Sequence, residues 1–477
     1  MFLSTYFSSI SAIIHQQNFP AYAMRMFAGN WTHALQCMQN QRENDESAHS
    51  ARPVQDIQAM CAIGDAMLVI GHLEEAEESY RLVHKCARTN VRVLRILSCR
   101  NTAWQMLIQH RFSAAMNCFT QVEIDDQATV LQRVEASVGK AITHLSLGQG
   151  ALAMHIVAQA KELLTPAESS LAILLDALIL DIRSQLALRR CPRLTDHVFW
   201  QATGLSKDSM LDVPVEENDF LQITSQLDDS NTILLRRLEF LHLLLQISAG
   251  KVSLFQHGMD SLPTTVNGAS VMMAQSAKLE LAMATLGAGR ADLAERAVAG
   301  IVNRNSFRWD LDLDYCQAKI AQSRGHAEHA LRLYYRYAMD AVHCLRNEAQ
   351  NQRTEQMTEN TNINDDISAR LPAKYRRAYS FMISNAHRPD LSVSEIAAQI
   401  GVTGRALQLA FKAATGLSPT QVLRRYRMQS IRADLLENGG CGGVLQAANR
   451  WGVASRSVLA KGYRQEFNEA PVDTLQR

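Results

Sequence analysis

Apolar residues recur at spacings of three and four along almost all of residues 1–346, with few prolines and little sustained alternation. A period near 3.6 is typical of amphipathic helices, whereas strands alternate with a period of two. The pattern therefore predicts an all-α body over residues 1–346. Residues 347–370 are rich in Asn, Gln, Thr and acidic side chains. We predict that they form a flexible polar linker to a third segment, residues 371–477.

A faint repeat runs through the body. In each copy a turn residue is followed five positions later by Ala. In most copies an aromatic or other apolar residue stands four positions after that Ala. The copies begin at Gly29, Gly71, His110, Gly148, Gly289 and Gly325. In most copies a small residue also stands seven positions before the turn. This pattern resembles the tetratricopeptide repeat, which implies stacked helix pairs with a concave face suited to a partner protein. An irregular helical bundle is the alternative, because Ala and Gly at helix crossings are common there too.

Residues 391–467 contain one short pattern twice. Each copy has a small residue in a helix, a Gly four positions on, an apolar residue and then Thr or Ser: first Ala397, Gly401, Val402 and Thr403, then Ala448, Gly452, Val453 and Ser455. The Ala lets two helices approach, the Gly accepts the left-handed backbone of a tight turn, and the hydroxyl residue caps the next helix. We predict two helix-turn-helix motifs with recognition helices over residues 403–415 and 455–467, joined by one long helix from Ser418 to Glu437.

Helical periodicity separates two sides of each recognition helix. The sides predicted to face inward carry Leu407, Phe411 and Ala414 in the first helix, and Val458, Leu459, Tyr463 and Phe467 in the second. The opposite sides carry mainly polar and cationic residues. Arg and Lys suit guanine and Gln suits adenine, whereas Leu409 has no such capacity and would touch a thymine methyl or simply pack. From their chemistry, Thr403, Lys412, Ser455 and Arg464 are better phosphate contacts, which fix register rather than read sequence.

Over residues 371–475 the chain resembles the AraC/XylS family of transcription regulators. The resemblance rests on Gly416-Leu-Ser-Pro419, on Arg427 and on the second motif, and it departs from the family where Val453 and Leu459 replace the usual Phe. It implies that six positions face base edges: Arg405, Gln408, Leu409, Arg456, Ser457 and Lys461. Arg427 matches an arginine typical of the family, for which a structural salt bridge and a DNA contact are equally good expectations.

Charge is distributed very unevenly, although the formal net charge of the chain is only +1. From Arg370 to the end there are 16 Lys and Arg against 7 Asp and Glu, so this part carries +9 and the remainder carries −8. A basic segment attached to an acidic body is typical of a polyanion-binding module on a body that does not bind polyanions.

A helical-repeat body with this C-terminal unit is similar to the HrpB/HrpX group, activators of type III secretion genes in plant-pathogenic bacteria. The resemblance implies promoters with short TTCG-type direct repeats. We expect promoter DNA and RNA polymerase as partners, a protein partner on the body, and self-association into a homodimer. Two alternatives stay open: a body that senses a small-molecule effector, for which the sequence shows no convergent polar cluster, and a protein-binding scaffold.

Several features bear on compartment and chemistry. The nine cysteines have no paired metal-type spacing, so reduced thiols of a cytoplasmic protein are expected. The apolar run Leu171–Leu188 contains Asp176, Asp181 and Arg183, which favours a buried core helix over a membrane span. Residues 2–14 are apolar but lack a basic leader. We expect no catalytic residues, no metal, no cofactor and no enzymatic activity, because no nucleophile–base pair or ligand cluster is present.

Overall fold

The computed structural model describes residues 2–47, 53–86, 91–166, 168–202, 214–228, 230–262, 271–301, 309–357, 371–415, 417–437, 443–453, 455–467 and 469–475. These residues form helices and turns and contain no strand, which confirms the predicted all-α class. The chain divides into two compact units, residues 1–351 and 352–477. Of the predicted linker, residues 347–357 continue the last helix of the body, and residues 358–370 lie outside the described part.

The body contains helices α1 (Phe2–His15), α2 (Pro20–Phe27), α3 (Trp31–Ser47), α4 (Pro53–Ile70), α5 (Leu73–Cys86), α6 (Val91–Ile108), α7 (Phe112–Glu123), α8 (Val130–Ser146), α9 (Gly150–Glu162), α10 (Ser169–Arg189), α11 (Val198–Ala202), α12 (Glu217–Thr224), α13 (Thr232–Ser248), α14 (Phe255–Asp260), α15 (Val271–Gly287), α16 (Ala291–Val298), α17 (Trp309–Ser323) and α18 (Ala327–Met357). Short 3₁₀ turns lie at Pro192–Leu194 and Val252–Leu254. Consecutive helices pack as pairs, most extensively α4 with α5, α6 with α7 and α8 with α9.

The repeat positions have a common geometry. The six turn residues Gly29, Gly71, His110, Gly148, Gly289 and Gly325 all have positive φ, between 57° and 101°. In the α4/α5 pair the ring of Tyr80 packs on Gly64, where an added Cβ would lie 2.4 Å from the ring. In this pair the small residue thus lies where the two helices cross. The assignment to the tetratricopeptide class stays a prediction.

Helix α1 lies inside the body. Residues 5–12 are all buried, more than two full turns, so every side of the helix is covered. It packs against α4, α8, α10, α13 and α15, and two of its hydroxyl groups form buried hydrogen bonds to other helices. The Tyr6 hydroxyl donates to the carbonyl of Ala177 (2.9 Å), and the Ser11 hydroxyl donates to Asp65 (2.6 Å). The sequence did not predict this placement.

Two buried arginines each lie between two carboxylates from other helices. Arg100 donates to Asp65 (2.7 Å) and Glu135 (2.8 Å). Arg237 donates to Asp181 (2.7 and 2.9 Å) and Glu280 (2.6 Å). A buried charge is tolerated only when it is paired and hydrogen-bonded. The pairs therefore join helices that are far apart in sequence.

Asp181 belongs to α10, the apolar run predicted to be a core helix. The residues around it on α10 are largely buried within the body. Among the helices described, none is both long and apolar enough to span a bilayer. Burial raises the pKa of Cys61 to about 12, so this thiol stays protonated at neutral pH. Cys441 and the glycine-rich residues 439–442 lie outside the described part.

The second unit contains α19 (Ala373–Ser384), α20 (Val393–Gln399), α21 (Gly404–Thr415), α22 (Pro419–Glu437), α23 (Gly443–Arg450), α24 (Arg456–Phe467) and α25 (Pro471–Leu475). It has two small cores. The first is centred on Leu407 and Phe411, and the second on Leu459 and Tyr463. The long helix α22 contributes to both cores, with Val422 in the first and Met428 in the second.

Candidate nucleic-acid interface

The first motif is built as its sequence predicts. Gly401 has φ +63°, and the turn closes through a hydrogen bond from the Val402 N–H to the Ala397 carbonyl (3.1 Å). The Thr403 hydroxyl oxygen accepts the Ala406 N–H (3.2 Å), so Thr403 caps α21. That bond uses the oxygen of Thr403 as acceptor and leaves its hydroxyl hydrogen able to donate outward.

The second motif repeats the turn. Gly452 has φ +69°, and the Val453 N–H donates to the Ala448 carbonyl (2.9 Å). Ser455 directly precedes α24, as predicted for a cap. Its hydroxyl, however, is hydrogen-bonded to the hydroxyl of Ser457 (2.9 Å). The two serines therefore form a local pair at the start of the second recognition helix.

Helix α21 presents a buried side and an exposed side. Leu407 and Phe411 are fully buried, and Ala414 is partly buried. Arg405, Gln408, Lys412 and Thr403 are exposed, and Leu409 is 61% exposed. The exposure of Leu409 shows that this side chain does not pack in the core; its contact with a thymine methyl stays a prediction.

Helix α24 has the same division with one correction. Leu459 and Tyr463 are buried, and Arg456, Ser457, Lys461, Arg464 and Ser455 are exposed. The prediction that Val458 faces inward is wrong, because its side chain is 52% exposed. The joining helix α22 crosses α24 one turn further on, at Gly462, where an added Cβ would lie 3.0 Å from the Met428 sulfur. Val458 lies one turn before that crossing, where the core does not cover its side chain.

The exposed cations of the two recognition helices differ from the arginines of α22. Among the described residues, Arg405, Lys412, Arg456, Lys461 and Arg464 make no ion pair or side-chain hydrogen bond. On α22, by contrast, the arginines are engaged: Arg424 donates to Gln465 (2.8 Å), Arg425 pairs with Glu466, and Arg432 pairs with Glu469 (3.1 Å). Arginines of α22 thus bind side chains in and just after the second recognition helix. The cations of the two recognition helices remain available to a ligand.

Arg427 has a structural role, but among the residues that the structure describes it does not form the salt bridge that was one expectation. Its Nε donates to the Ala386 carbonyl (2.8 Å), and an Nη donates to the carbonyl of Arg388. Burial lowers the pKa of Arg427. Its partners are backbone carbonyls in the turn that follows α19, a choice that residue types cannot reveal.

The turn of the second motif packs on the same backbone segment. An added Cβ on Gly452 would lie 2.9 Å from the His387 carbonyl oxygen. Beside it, the rings of Tyr426 and Trp451 meet edge to face at 6.1 Å, and the Trp451 indole donates to Asp434 (3.0 Å). We call the contact of residues 386–388 with Arg427 and Gly452 the motif junction. It joins the two motifs through the backbone of residues 386–388, which both the Arg427 guanidinium and the Gly452 turn contact.

Comparisons with known proteins agree with this architecture. Residues 396–477 match the family model described as "Helix-turn-helix domain". The chain is 37% identical over 485 residues to the "Regulatory protein HrpB" of Ralstonia nicotianae, covering 99% of each protein. It is 27% identical over 118 residues to the "XylDLEGF operon transcriptional activator 1" of Pseudomonas putida, covering 24% of this chain and 35% of that protein. No solved structure matches.

The fold, the two motifs and these relatives define an AraC-type transcription regulator. Its relatives are regulators rather than enzymes. The match to the Ralstonia protein extends over the body as well as the DNA-binding unit. The chain therefore belongs to the family of the HrpB regulatory protein.

Proposed function

We propose that this chain is a sequence-specific DNA-binding activator that reads promoter DNA with α21 and α24. The observation that carries the proposal is the set of exposed cations on these helices, which have no acidic partner among the described residues. A surface cation without an internal partner can release phosphate counterions and reach base edges. Both helices bear such cations on the side opposite their buried core.

Base reading is assigned to Arg405, Gln408 and Leu409 of α21 and to Arg456, Ser457 and Lys461 of α24. A bidentate pair between such a side chain and its base contributes roughly 1–3 kcal/mol of discrimination. Leu409 is 61% exposed and apolar, which suits a thymine methyl group. Phosphate contacts are assigned to Thr403 and Lys412 in the first motif and to Ser455 and Arg464 in the second. The residues of the two pairs occupy equivalent positions in the two motifs.

The joining helix supports binding of both motifs to one duplex. Helix α22 has 19 residues, or about 28 Å at 1.5 Å per residue. One turn of B-DNA is about 34 Å. A single chain whose motifs are held at the motif junction would thus place its recognition helices in successive major grooves.

The regulated genes follow from the family resemblance. The relative that covers the whole chain is named a regulatory protein, and the HrpB/HrpX resemblance extends this to activation of type III secretion and effector genes through TTCG-type repeats. On this proposal the protein acts in the cytoplasm with RNA polymerase, the body receives a protein partner, and the chain forms a homodimer.

The proposal is tested by comparing Arg405→Ala and Arg456→Ala with Arg290→Ala in the full chain. Arg290 is an exposed arginine of the body that pairs with Asp292 (2.6 Å), so it controls for the loss of one surface charge. We expect each recognition-helix variant to lose roughly 5- to 150-fold in the ratio of cognate to unrelated DNA affinity, the equivalent of 1–3 kcal/mol. Fluorescence anisotropy at fixed salt measures the ratio. An unchanged ratio in both variants would refute the assigned reading sides.

A further inference from the structure

The second recognition helix has one large apolar side chain that the core does not cover. Val458 is the third residue of α24, and its side chain is 52% exposed. Among the described residues of α24, it is the only exposed apolar side chain larger than alanine. Its exposed neighbours on the outward side are polar or cationic: Arg456, Ser457 and Lys461. Val458 therefore interrupts a surface that is otherwise hydrophilic.

The contacts of α24 with the joining helix begin after Val458. Helix α22 crosses α24 at Gly462, where an added Cβ would lie 3.0 Å from the Met428 sulfur. Further along, Gln465 accepts a hydrogen bond from Arg424 of α22 (2.8 Å). Gln465 follows Val458 by seven positions, so the two residues lie on the same line along the helix. The contacts of α22 with this side of α24 thus start one turn beyond Val458.

Val458 belongs to the end of α24 that a helix-turn-helix protein places against DNA bases. The N-terminal residues of a recognition helix lie in the major groove and contact base edges. Residues 456–458 form the first turn of α24, and Lys461, one turn later on a neighbouring line, is exposed as well. If α24 reads DNA, Val458 lies beside the side chains that are assigned to base reading.

We propose, on the basis of that proposed function, that Val458 determines specificity by contacting the 5-methyl group of a thymine. This methyl group distinguishes thymine in the major groove, and apolar side chains recognise it by contact. Arg and Lys suit guanine instead, so the neighbouring cations do not supply this selection. A β-branched side chain has one strongly preferred rotamer in a helix, so Val458 holds its methyl groups in place before DNA binds.

The first recognition helix carries its exposed apolar side chain at a different position. Leu409, which is also assigned to a thymine methyl, is 61% exposed and corresponds to Lys461 when the two motifs are aligned. Val458 corresponds to Ala406, which is partly buried. On this proposal, the two helices select thymines at different steps of their half-sites.

The first experiment measures binding of the full chain to a duplex with two TTCG repeats by fluorescence anisotropy at fixed salt. In the half-site whose recognition depends on Arg456, each thymine is replaced in turn by uracil, which lacks only the 5-methyl group. We expect one replacement to weaken wild-type binding about fourfold, the effect of losing one buried methyl group. Wild-type affinity that no replacement changes would overturn the proposal.

A double-mutant cycle with Val458→Ala assigns the methyl contact to this side chain. The variant should bind the unmodified duplex at least about fourfold more weakly than the wild type. Uracil at the sensitive thymine should then cause no further loss, because the methyl group has already lost its partner. Equal losses from uracil in the variant and in the wild type would overturn the proposal.

The failure of this proposal is distinguishable from the failure of the proposed function. If the cycle shows no coupling but Arg456→Ala still loses its preference for cognate DNA, only the assignment of Val458 falls. If Arg405→Ala and Arg456→Ala both keep the wild-type preference, the proposed function falls and the assignment of Val458 falls with it.

Val472→Ala is the matched control. Val472 is a valine of the same unit that is 51% exposed, and it belongs to α25 rather than to a recognition helix. Its truncation removes the same atoms, so we expect wild-type affinity and full sensitivity to uracil. Thermal unfolding of both valine variants should match that of the wild type, because both side chains are exposed. A loss of uracil sensitivity in Val472→Ala would contradict the proposal.

A measurement on the wild-type complex gives a second test that needs no variant in the interface. In a full chain with ¹³C-labelled valine methyl groups, we expect a nuclear Overhauser effect between Val458 and one thymine 5-methyl group. That thymine should be the one whose replacement by uracil weakens binding. A bound complex in which no thymine methyl shows this effect would overturn the proposal.

Discussion

In the body, Arg100 and Arg237 are buried, each between two carboxylates, whereas Arg405 and Arg456 of the DNA-binding unit are exposed and unpaired among the described residues. The difference reflects the cost of removing a charge from water. A buried guanidinium must be matched by nearby carboxylates, and such matched groups have little capacity left for a ligand. A surface guanidinium keeps its hydration and can exchange it for a phosphate or a guanine.

The arginines of the joining helix α22 lie between these extremes. Arg425 and Arg432 are partly buried and paired with acidic residues near the end of α24. Both arginines belong to the basic segment, but their ion pairs stabilise the fold of this unit. Net charge alone therefore overstates how many cations of this unit are available to DNA.

The largest expected effect comes from breaking a buried pair. Arg237→Ala leaves Asp181 and Glu280 buried without their partner, and we expect it to lower the free energy of unfolding of the body by roughly 3–5 kcal/mol. Arg290→Ala removes an exposed pair that water and salt screen, so we expect it to leave the free energy of unfolding nearly unchanged. Chemical denaturation of both variants measures the difference. Equal stability of the two would mean that the buried arginine is not held as described.

The two turn glycines offer a matched comparison between the motifs. Both have positive φ, so Gly401→Ala and Gly452→Ala each cost about 1–2 kcal/mol through the left-handed backbone. Only at Gly452 would the added methyl also meet a carbonyl oxygen, at 2.9 Å, whereas nothing lies within 4 Å at Gly401. We therefore expect Gly452→Ala to be clearly the more destabilising and to reduce affinity for a two-part DNA site more than for a single half-site.

Thermal unfolding and binding to both DNA lengths measure this difference. The comparison tests the motif junction, because an added Cβ would contact residues 386–388 at Gly452 and would meet no atom within 4 Å at Gly401. Equal stability losses, together with equal losses on both DNA lengths, would show that the junction does not set the relation between the motifs.

The sequence predicted local features well because their causes are local. Ala397, Gly401 and Thr403 fulfil their roles within one turn, and these roles depend on residue type and spacing. Val458 was assigned wrongly because an apolar residue at helical spacing is usually buried, and only the crossing at Gly462 shows where the core ends. The exposed sides of both recognition helices otherwise agree with their periodicity.

Long-range features could not be read in the same way. Arg237 and Glu280 are separated by 43 residues and Arg189 and Asp312 by 123, and nothing in the residue types selects these partners. The burial of α1 has the same cause, because its contacts come from helices distributed over much of the body. The carbonyl partners of Arg427 have no side-chain signature at all.

The smallest expected effect belongs to a phosphate contact. Lys412→Ala should weaken binding to cognate and unrelated DNA by a similar factor, because phosphates carry no sequence information. The slope of log affinity against log salt should fall in magnitude by about 1. Affinity measurements over a series of salt concentrations test both points. A loss confined to the cognate sequence would make Lys412 a base reader instead.

The central claim is that the outward sides of α21 and α24 read two neighbouring grooves of one duplex. Hydroxyl-radical footprinting of the full chain on a bound promoter tests it most directly. We expect two protected tracts on one face of the DNA, about one helical turn apart, with Arg405→Ala weakening protection in one tract and Arg456→Ala in the other. A single tract, or protection that neither variant changes, would contradict the account.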